Sequence, residues 1–151
     1  MKSRSLSSAN QPFFLLLQLT KQWRHIVQHS LARAGLNDAT WRPLLHLLLL
    51  GDGVRQKDLA ESIGIKGPSL VRLLDTLIER GLLTRAEDAV DRRAKQLFLT
   101  VAGRQLAEQI HSAVETIDQR IMEPFSAADM ATISNYIRRL EDSLNHLAST
   151  N

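Results

Sequence analysis

A mainly α protein carrying one small β-hairpin is the fold class this chain predicts, on three observations. Apolar residues recur every three or four positions through most of its 151 residues. Two short segments, Leu82 to Arg85 and Gln96 to Thr100, leave that rhythm and alternate in part, as strands do. The apolar load rests on Leu, Ile, Val and Ala, with aromatics at 5% of the chain, a mix that favours helices.

The elements follow in order. Residues 1–11 are polar and Ser-rich and read as a disordered arm. Pro12 suits a first helical turn, and Leu16, Leu19, Trp23, Ile26 and Val27 then step by three and four until Gly35 stops the helix. Asn37 or Asp38 can cap a second helix bearing Trp41, Leu44, Leu45, Leu47 and Leu48, which Gly51-Asp52-Gly53 ends. A short helix over Gln56 to Ile63 is broken at Gly64. Another runs from about Gly67 to Arg80, with Leu70, Leu73, Leu74, Leu77 and Ile78 on one stripe and Gly81 as its stop. The two strand-like segments come next, and the charged stretch Ala86 to Lys95 between them reads as a long exposed hairpin tip. Thr100 can cap a long helix bearing Leu106, Ile110, Val114, Ile117 and Ile121, which Pro124 ends. Ser126 can cap the last, where Met130, Ile133, Ile137, Leu140, Leu144 and Leu147 form a heptad-like seam.

Composition removes several classes of function. The chain is one ordinary domain in size, with a net charge of +3 that permits an anionic partner without establishing one. No cysteine is present, which excludes disulfides, thiolate metal sites and thiol-based redox sensing. The apolar cluster Phe13 to Leu17 is too short to span a bilayer and no small-residue cleavage pattern follows it, so no membrane association and a cytoplasmic location are expected. There is no glycine-rich phosphate loop and no nucleophile elbow, and the carboxylates lie mostly opposite the apolar stripes; no enzyme and no cofactor are expected. His25 and His29 stand one helical turn apart, but no carboxylate or Cys accompanies them, so they read as a solvated face rather than a metal site.

Helix, tight turn, helix and hairpin make up a winged helix-turn-helix, here spanning residues 36–100 and flanked by N- and C-terminal dimerisation helices over 12–35 and 101–149. In such a unit the second helix enters the major groove of double-stranded DNA by its N-terminal end. That end reads Lys66-Gly67-Pro68-Ser69-Leu70-Val71-Arg72. Small residues allow close approach, Ser69 can reach a phosphate or a base edge, and Arg72 can pair with O6 and N7 of guanine. The helix terminus itself favours a phosphate. At the hairpin tip, Asp91-Arg92-Arg93-Ala94-Lys95 sets three cations in four positions, which suits the negative potential of a narrow minor groove. Asp91 is expected to orient an adjacent arginine through a charge-assisted hydrogen bond.

The run DLAESIGIKGPSLVRLLDTLIERGLLTR, followed by DRRAKQLFLTVAG, resembles the MarR family of bacterial transcription regulators, in particular its SlyA-like branch. The D-x-R tip and the LT-x-x-G exit are the most specific marks, and the flanking helices match in length and pattern. The resemblance implies a homodimer on a near-palindromic operator, most often as a repressor. Its DNA-reading positions fall on Ser69 and Arg72, and its minor-groove arginine on Arg93 with Asp91 as organiser. Lys57, Arg92 and Lys95 are then candidate phosphate contacts. Many relatives answer to small aromatic acids held between the dimerisation helices and the DNA-binding unit, where this chain has Trp23, Arg24, Trp41, Arg42 and His46. A ligand-independent nucleoid-type DNA binder and a protein–protein adaptor on the same fold are the competing readings.

Overall fold

The computed structural model describes residues 12–36, 40–65, 67–91 and 93–150. Among the described residues, six helices and three strands run in the order α1 (Pro12–Arg33), α2 (Trp41–Leu50), β1 (Val54–Arg55), α3 (Gln56–Ile63), α4 (Pro68–Glu79), β2 (Leu83–Glu87), β3 (Lys95–Leu99), α5 (Val101–Met122) and α6 (Ala127–Ser149). The fold is mainly helical with a small antiparallel sheet, the winged-helix arrangement that the element order predicts. No helix among the described residues is long and apolar enough to cross a membrane.

The chain divides into two compact units, residues 1–114 and 115–151. The first holds the winged unit. Its core is aliphatic: Leu44 and Leu47 of α2, Leu59 and Ile63 of α3, Leu70, Leu74 and Leu77 of α4, and Leu83 and Leu97 of the sheet are all buried. Val27 and Leu31 of α1 and Ala107 and Ile110 of α5 are buried in the same unit. The second unit comprises the end of α5 and all of α6, which buries none of its residues.

The sheet order is β1-β3-β2. Strand β2 meets β3 in a register running from Leu83 opposite Leu99 to Glu87 opposite Lys95, and β1 sets Val54 opposite Leu97 and Arg55 opposite Gln96. The pairing extends further towards the tip than the sequence predicts, with β2 continuing to Glu87 and β3 beginning at Lys95. Two cross-strand partners at the outer end, Glu87 and Lys95, carry opposite charges and close the ladder there with a 3.1 Å ion pair. Strand β1 has no sequence signature, because two residues cannot display alternation. The second helix starts at Trp41, with Thr40 at its N-cap position making no side-chain cap bond. The caps expected at Asn37 or Asp38 lie outside the described residues, as does the expected disordered arm.

Candidate nucleic-acid interface

The turn between α3 and α4 begins at Gly64, whose φ of +73° lies in the left-handed region that a Cβ disfavours. Its N–H and that of Ile65 both reach the Ala60 carbonyl, at 2.9 and 3.2 Å, and close the end of α3 within one residue. Pro68 then opens α4, where the missing N–H costs nothing. With Leu70, Leu74 and Leu77 buried, the face of α4 carrying Ser69, Arg72 and Thr76 is exposed, because positions three and four apart share a side. Pro68 is exposed at its head and Lys57 is exposed in the first turn of α3. The structure thus brings Pro68, Ser69 and Arg72 together on one free helix face.

That face is held by contacts the sequence does not display. Arg85 on β2 pairs with Asp75 on α4 at 3.1 Å, joining the second helix of the motif to the wing. Arg42 on α2 donates to the carbonyl of Ile63 at 2.6 Å, supplying a cation to the C-terminal end of α3. His46, one turn further along α2, shares a 2.7 Å hydrogen bond with Ser62. Burial, and then the nearby Arg42, push the His46 pKa below its ordinary value, so its ring is neutral at pH 7. Burial, reinforced by Arg24, also lowers that of Arg42.

In the wing, Asp88 organises the tip. Its side chain is only 5% exposed. One carboxylate oxygen accepts the backbone N–H groups of Val90 (2.8 Å) and Asp91 (3.1 Å), and the other receives the Arg55 guanidinium from Nε (3.0 Å) and Nη2 (2.9 Å). The N–H groups of Asp91 and Val90, followed by Arg55, hold its pKa below the ordinary carboxylate value, so it stays ionised through the neutral range. Arg55 ends β1 and immediately precedes α3, so this pair ties the wing tip to the root of the helix-turn-helix. The Asp91 carboxylate accepts the backbone N–H of Arg93 at 3.0 Å, which fixes the turn. The physical reason is proximity: an Asx side chain reaches the N–H two residues on without any rearrangement. Arg93 is exposed, and Lys95, the other described tip cation, is engaged by Glu87. Arg92 lies outside the described residues.

The residues expected to hold an aromatic acid divide into two groups. Trp23 and Trp41 do meet, edge to face with centroids 6.3 Å apart. Trp41 is 4% exposed and donates its indole N–H to Gln28 at 2.7 Å, so it is a packed wall of the first unit. The expected cations make contacts of their own. Arg24 donates to the Thr20 carbonyl on its own helix at 3.4 Å, while Arg42 and His46 bind α3. Beside Trp41 there is a cavity of about 260 Å³ whose lining includes Thr40, Leu44, Leu106, Ile110 and Arg80. Its cation is therefore Arg80, which donates to the Thr40 hydroxyl at 3.2 Å. Periodicity could not find Arg80, which reads as the last residue of a helix and meets a partner forty positions away.

The MarR family model matches residues 34–94, from just before α2 to the wing tip. The crystal structure of the transcriptional regulator PA3341 superposes with a TM-score of 0.80 at 33% identity, covering 88% of this chain and 97% of that one. NadR, solved in complex with 4-hydroxyphenylacetate, gives a TM-score of 0.74 at 26% identity over 93% of this chain and 97% of its own. The S. aureus MepR–DNA complex shares the fold at a TM-score of 0.72 and 23% identity, covering 87% of this chain and 96% of MepR. A helix-turn-helix with a free second-helix face, a braced wing, the matching family model and one-third identity across nearly all of PA3341 lead to one conclusion: the chain belongs to the MarR family of transcription regulators.

Proposed function

We propose that the protein is a cytoplasmic, sequence-specific DNA-binding repressor that acts as a homodimer on a near-palindromic operator. The observation that carries this reading is the free face of α4, with Ser69 and Arg72 projecting beside a wing whose tip is pinned by Asp88. In it, Ser69 and Arg72 read the major groove, Pro68 permits close approach, and Arg93 enters the minor groove on a turn that Asp91 and Asp88 shape. Lys57, Arg92 and Lys95 contact phosphates. Lys95 can do so because its ion pair with Glu87 is exposed and worth little. Within the family we place the chain on the SlyA-like branch, on its D-x-R tip and LT-x-x-G exit.

Arg72→Ala is expected to cost roughly 1–3 kcal/mol on the operator and to relax base preference at one position in each half-site. Lys95→Ala should instead weaken binding on every sequence and reduce the salt slope by about one unit. Fluorescence anisotropy on operator and scrambled duplexes across a salt series checks both. Unchanged operator affinity for Arg72→Ala would remove α4 from the reading role. Footprinting separates this function from nucleoid packaging, since a repressor protects one discrete palindrome.

The cavity beside Trp41 supports an aromatic-acid effector, as does the 4-hydroxyphenylacetate held by NadR. It offers a flat aromatic wall, aliphatic sides and one cation, the three things such a ligand needs. Arg80 replaces Arg24 and Arg42 as the carboxylate partner, with Trp23 behind Trp41. Because Arg80 caps the C-terminal end of α4, a ligand that engages it acts directly on the reading helix. It releases DNA to the extent that it binds the two helix placements unequally. Titration with salicylate or benzoate should quench tryptophan fluorescence in the free protein, and Arg80→Ala should abolish the quench. No quench in the wild type would dismiss the pocket, and a quench with unaltered operator affinity would dismiss the switch.

A further inference from the structure

Val90 is 92% exposed, more than any other large hydrophobic side chain among the described residues. It stands at the wing tip, where loop positions are ordinarily polar. Its exposure does not come from a loose loop. The Val90 N–H is held by Asp88 at 2.8 Å, the Asp91 N–H by the same oxygen at 3.1 Å, and the turn is closed by Asp88 N–H to Ala94 O (3.1 Å) and Ala94 N–H to Asp91 O (2.8 Å). Arg55 clamps the other oxygen of Asp88. The tip is therefore a braced turn that holds an aliphatic side chain out into solvent. Valine is also stiff at χ1, so little rotamer freedom remains to be lost when it meets a surface. At that exposure the Val90 side chain adds almost nothing to the packing of the wing's described residues.

We infer that Val90 is a specificity-determining residue of the wing: it reads the minor-groove edge of the base pair beneath the tip by rejecting the 2-amino group of guanine. The inference rests on the proposal above that the wing enters the minor groove. There, A·T and T·A pairs present only acceptors, and a G·C pair adds the guanine amino donor. An isopropyl group packs against an A·T floor. Against guanine it both crowds the amino group and strips it of water without returning a hydrogen bond. Arg93 cannot make this distinction by the same means, since a cation answers to groove potential and width. The wing thus divides its work between a charge that seeks a narrow groove and a methyl pair that tests its floor.

Base analogues isolate the effect. On an operator obtained by in vitro selection, one pair under the wing is made A·T, I·C, G·C or 2,6-diaminopurine·T, and dissociation constants are measured by anisotropy. Inosine removes the 2-amino group and diaminopurine adds it, with the major-groove edge of each parent pair kept. The wild type is expected to bind A·T and I·C alike, about five- to tenfold more tightly than G·C and diaminopurine·T. Val90→Ser should compress that ladder to within about twofold, with the melting temperature unchanged as befits an exposed site. A wild-type ladder that pairs A·T with diaminopurine·T overturns the inference, as does no ladder at all, or a ladder that survives in Val90→Ser. Hydroxyl-radical protection of the flanking minor groove, compared between wild type and Arg93→Ala, tests the underlying reading separately. If Arg93→Ala loses that protection and Val90→Ser keeps the ladder, the wing remains a minor-groove element and Val90 is not its reader.

Discussion

Gly103→Ala is expected to lose about 3 kcal/mol or more of folding stability, although the same exchange inside an ordinary exposed helix gains roughly 1 kcal/mol. A Cβ built on Gly103 would lie 1.8 Å from the carbonyl oxygen of Leu82 and 2.8 Å from its carbon. Both are backbone atoms, so no rotamer change relieves the clash. The Leu82 carbonyl cannot retreat freely, because it also accepts the Thr100 N–H at 3.2 Å. Thr100 is a second tie at the same joint: its hydroxyl donates to the Gly81 carbonyl at 2.7 Å and accepts the Gly103 N–H at 3.0 Å. The Leu99-Thr100-x-x-Gly103 text is thus a physical joint, at which the start of α5 lies against the chain leaving α4. Since folded domains are stable by only about 5–15 kcal/mol, the alanine variant should show a markedly lower denaturant midpoint. Any surviving folded fraction should bind operator poorly, because α5 would meet the root of the wing at the wrong place. A midpoint at or above that of the wild type would show that the joint has room, and that the glycine is there for another reason.

What the sequence displays and what it hides follow from how local each interaction is. Helices α3 and α4 declare themselves through stripes such as Leu70, Leu74 and Leu77, whose spacing is set by the 3.6-residue turn whatever they pack against. Thr100 at the head of α5 and Ser126 at the head of α6 are legible because a cap bonds within its own first turn, as the Gly103 and Asp129 N–H groups confirm. The free face of α4 is legible for the same reason, once its buried stripe is known. The bracing of the wing is not. Asp88 and Arg55 are thirty-three positions apart, and in the text AEDAVDRRAK the eye goes to Asp91, beside the arginines, while Asp88 looks like one more charge. The same holds for Arg42 and His46, which read as residues near a junction but are spent on the C-terminal end of α3, leaving Arg80 to face the cavity. Single charged residues carry no period, so their partners emerge only from the folded chain.

Leu140→Glu combined with Leu144→Glu is expected to convert the protein to a folded monomer that no longer holds its operator. The helix that carries them starts from a reciprocal cap, with the Ser126 hydroxyl accepting the Asp129 N–H at 3.2 Å and the Asp129 carboxylate accepting the Ser126 N–H at 2.9 Å. The Ser126 hydroxyl, which donates to the same carboxylate at 2.6 Å, and then the Ser126 N–H keep the Asp129 pKa below its ordinary value. The start of α6 is thus well determined, yet the helix buries nothing: Ile137 is 54% exposed, Leu144 52% and Leu147 62%. In α1, Phe13, Phe14, Leu15, Leu16, Leu17 and Leu19 are exposed as well. Monomeric proteins rarely leave contiguous apolar faces of this extent in water, and a self-complementary dimer covers them with the least new information. Placing carboxylates on the α6 seam costs a monomer almost nothing, since surface exchanges fall within about 0.5 kcal/mol. In a dimer they would be buried without partners. The loss of operator binding should be far larger than one half-site's share. A linked pair of half-site contacts binds about 10²–10⁴ more tightly than either alone, and the monomer forfeits that gain. Light scattering should therefore report one chain mass for the variant and two for the wild type, with helical circular dichroism retained in both. The matching change at Asn135, on the opposite side of α6, should leave mass and affinity alone. A wild-type mass of one chain at micromolar concentration, or a double variant that stays dimeric and keeps its affinity, would mean that the seam is not the dimer interface.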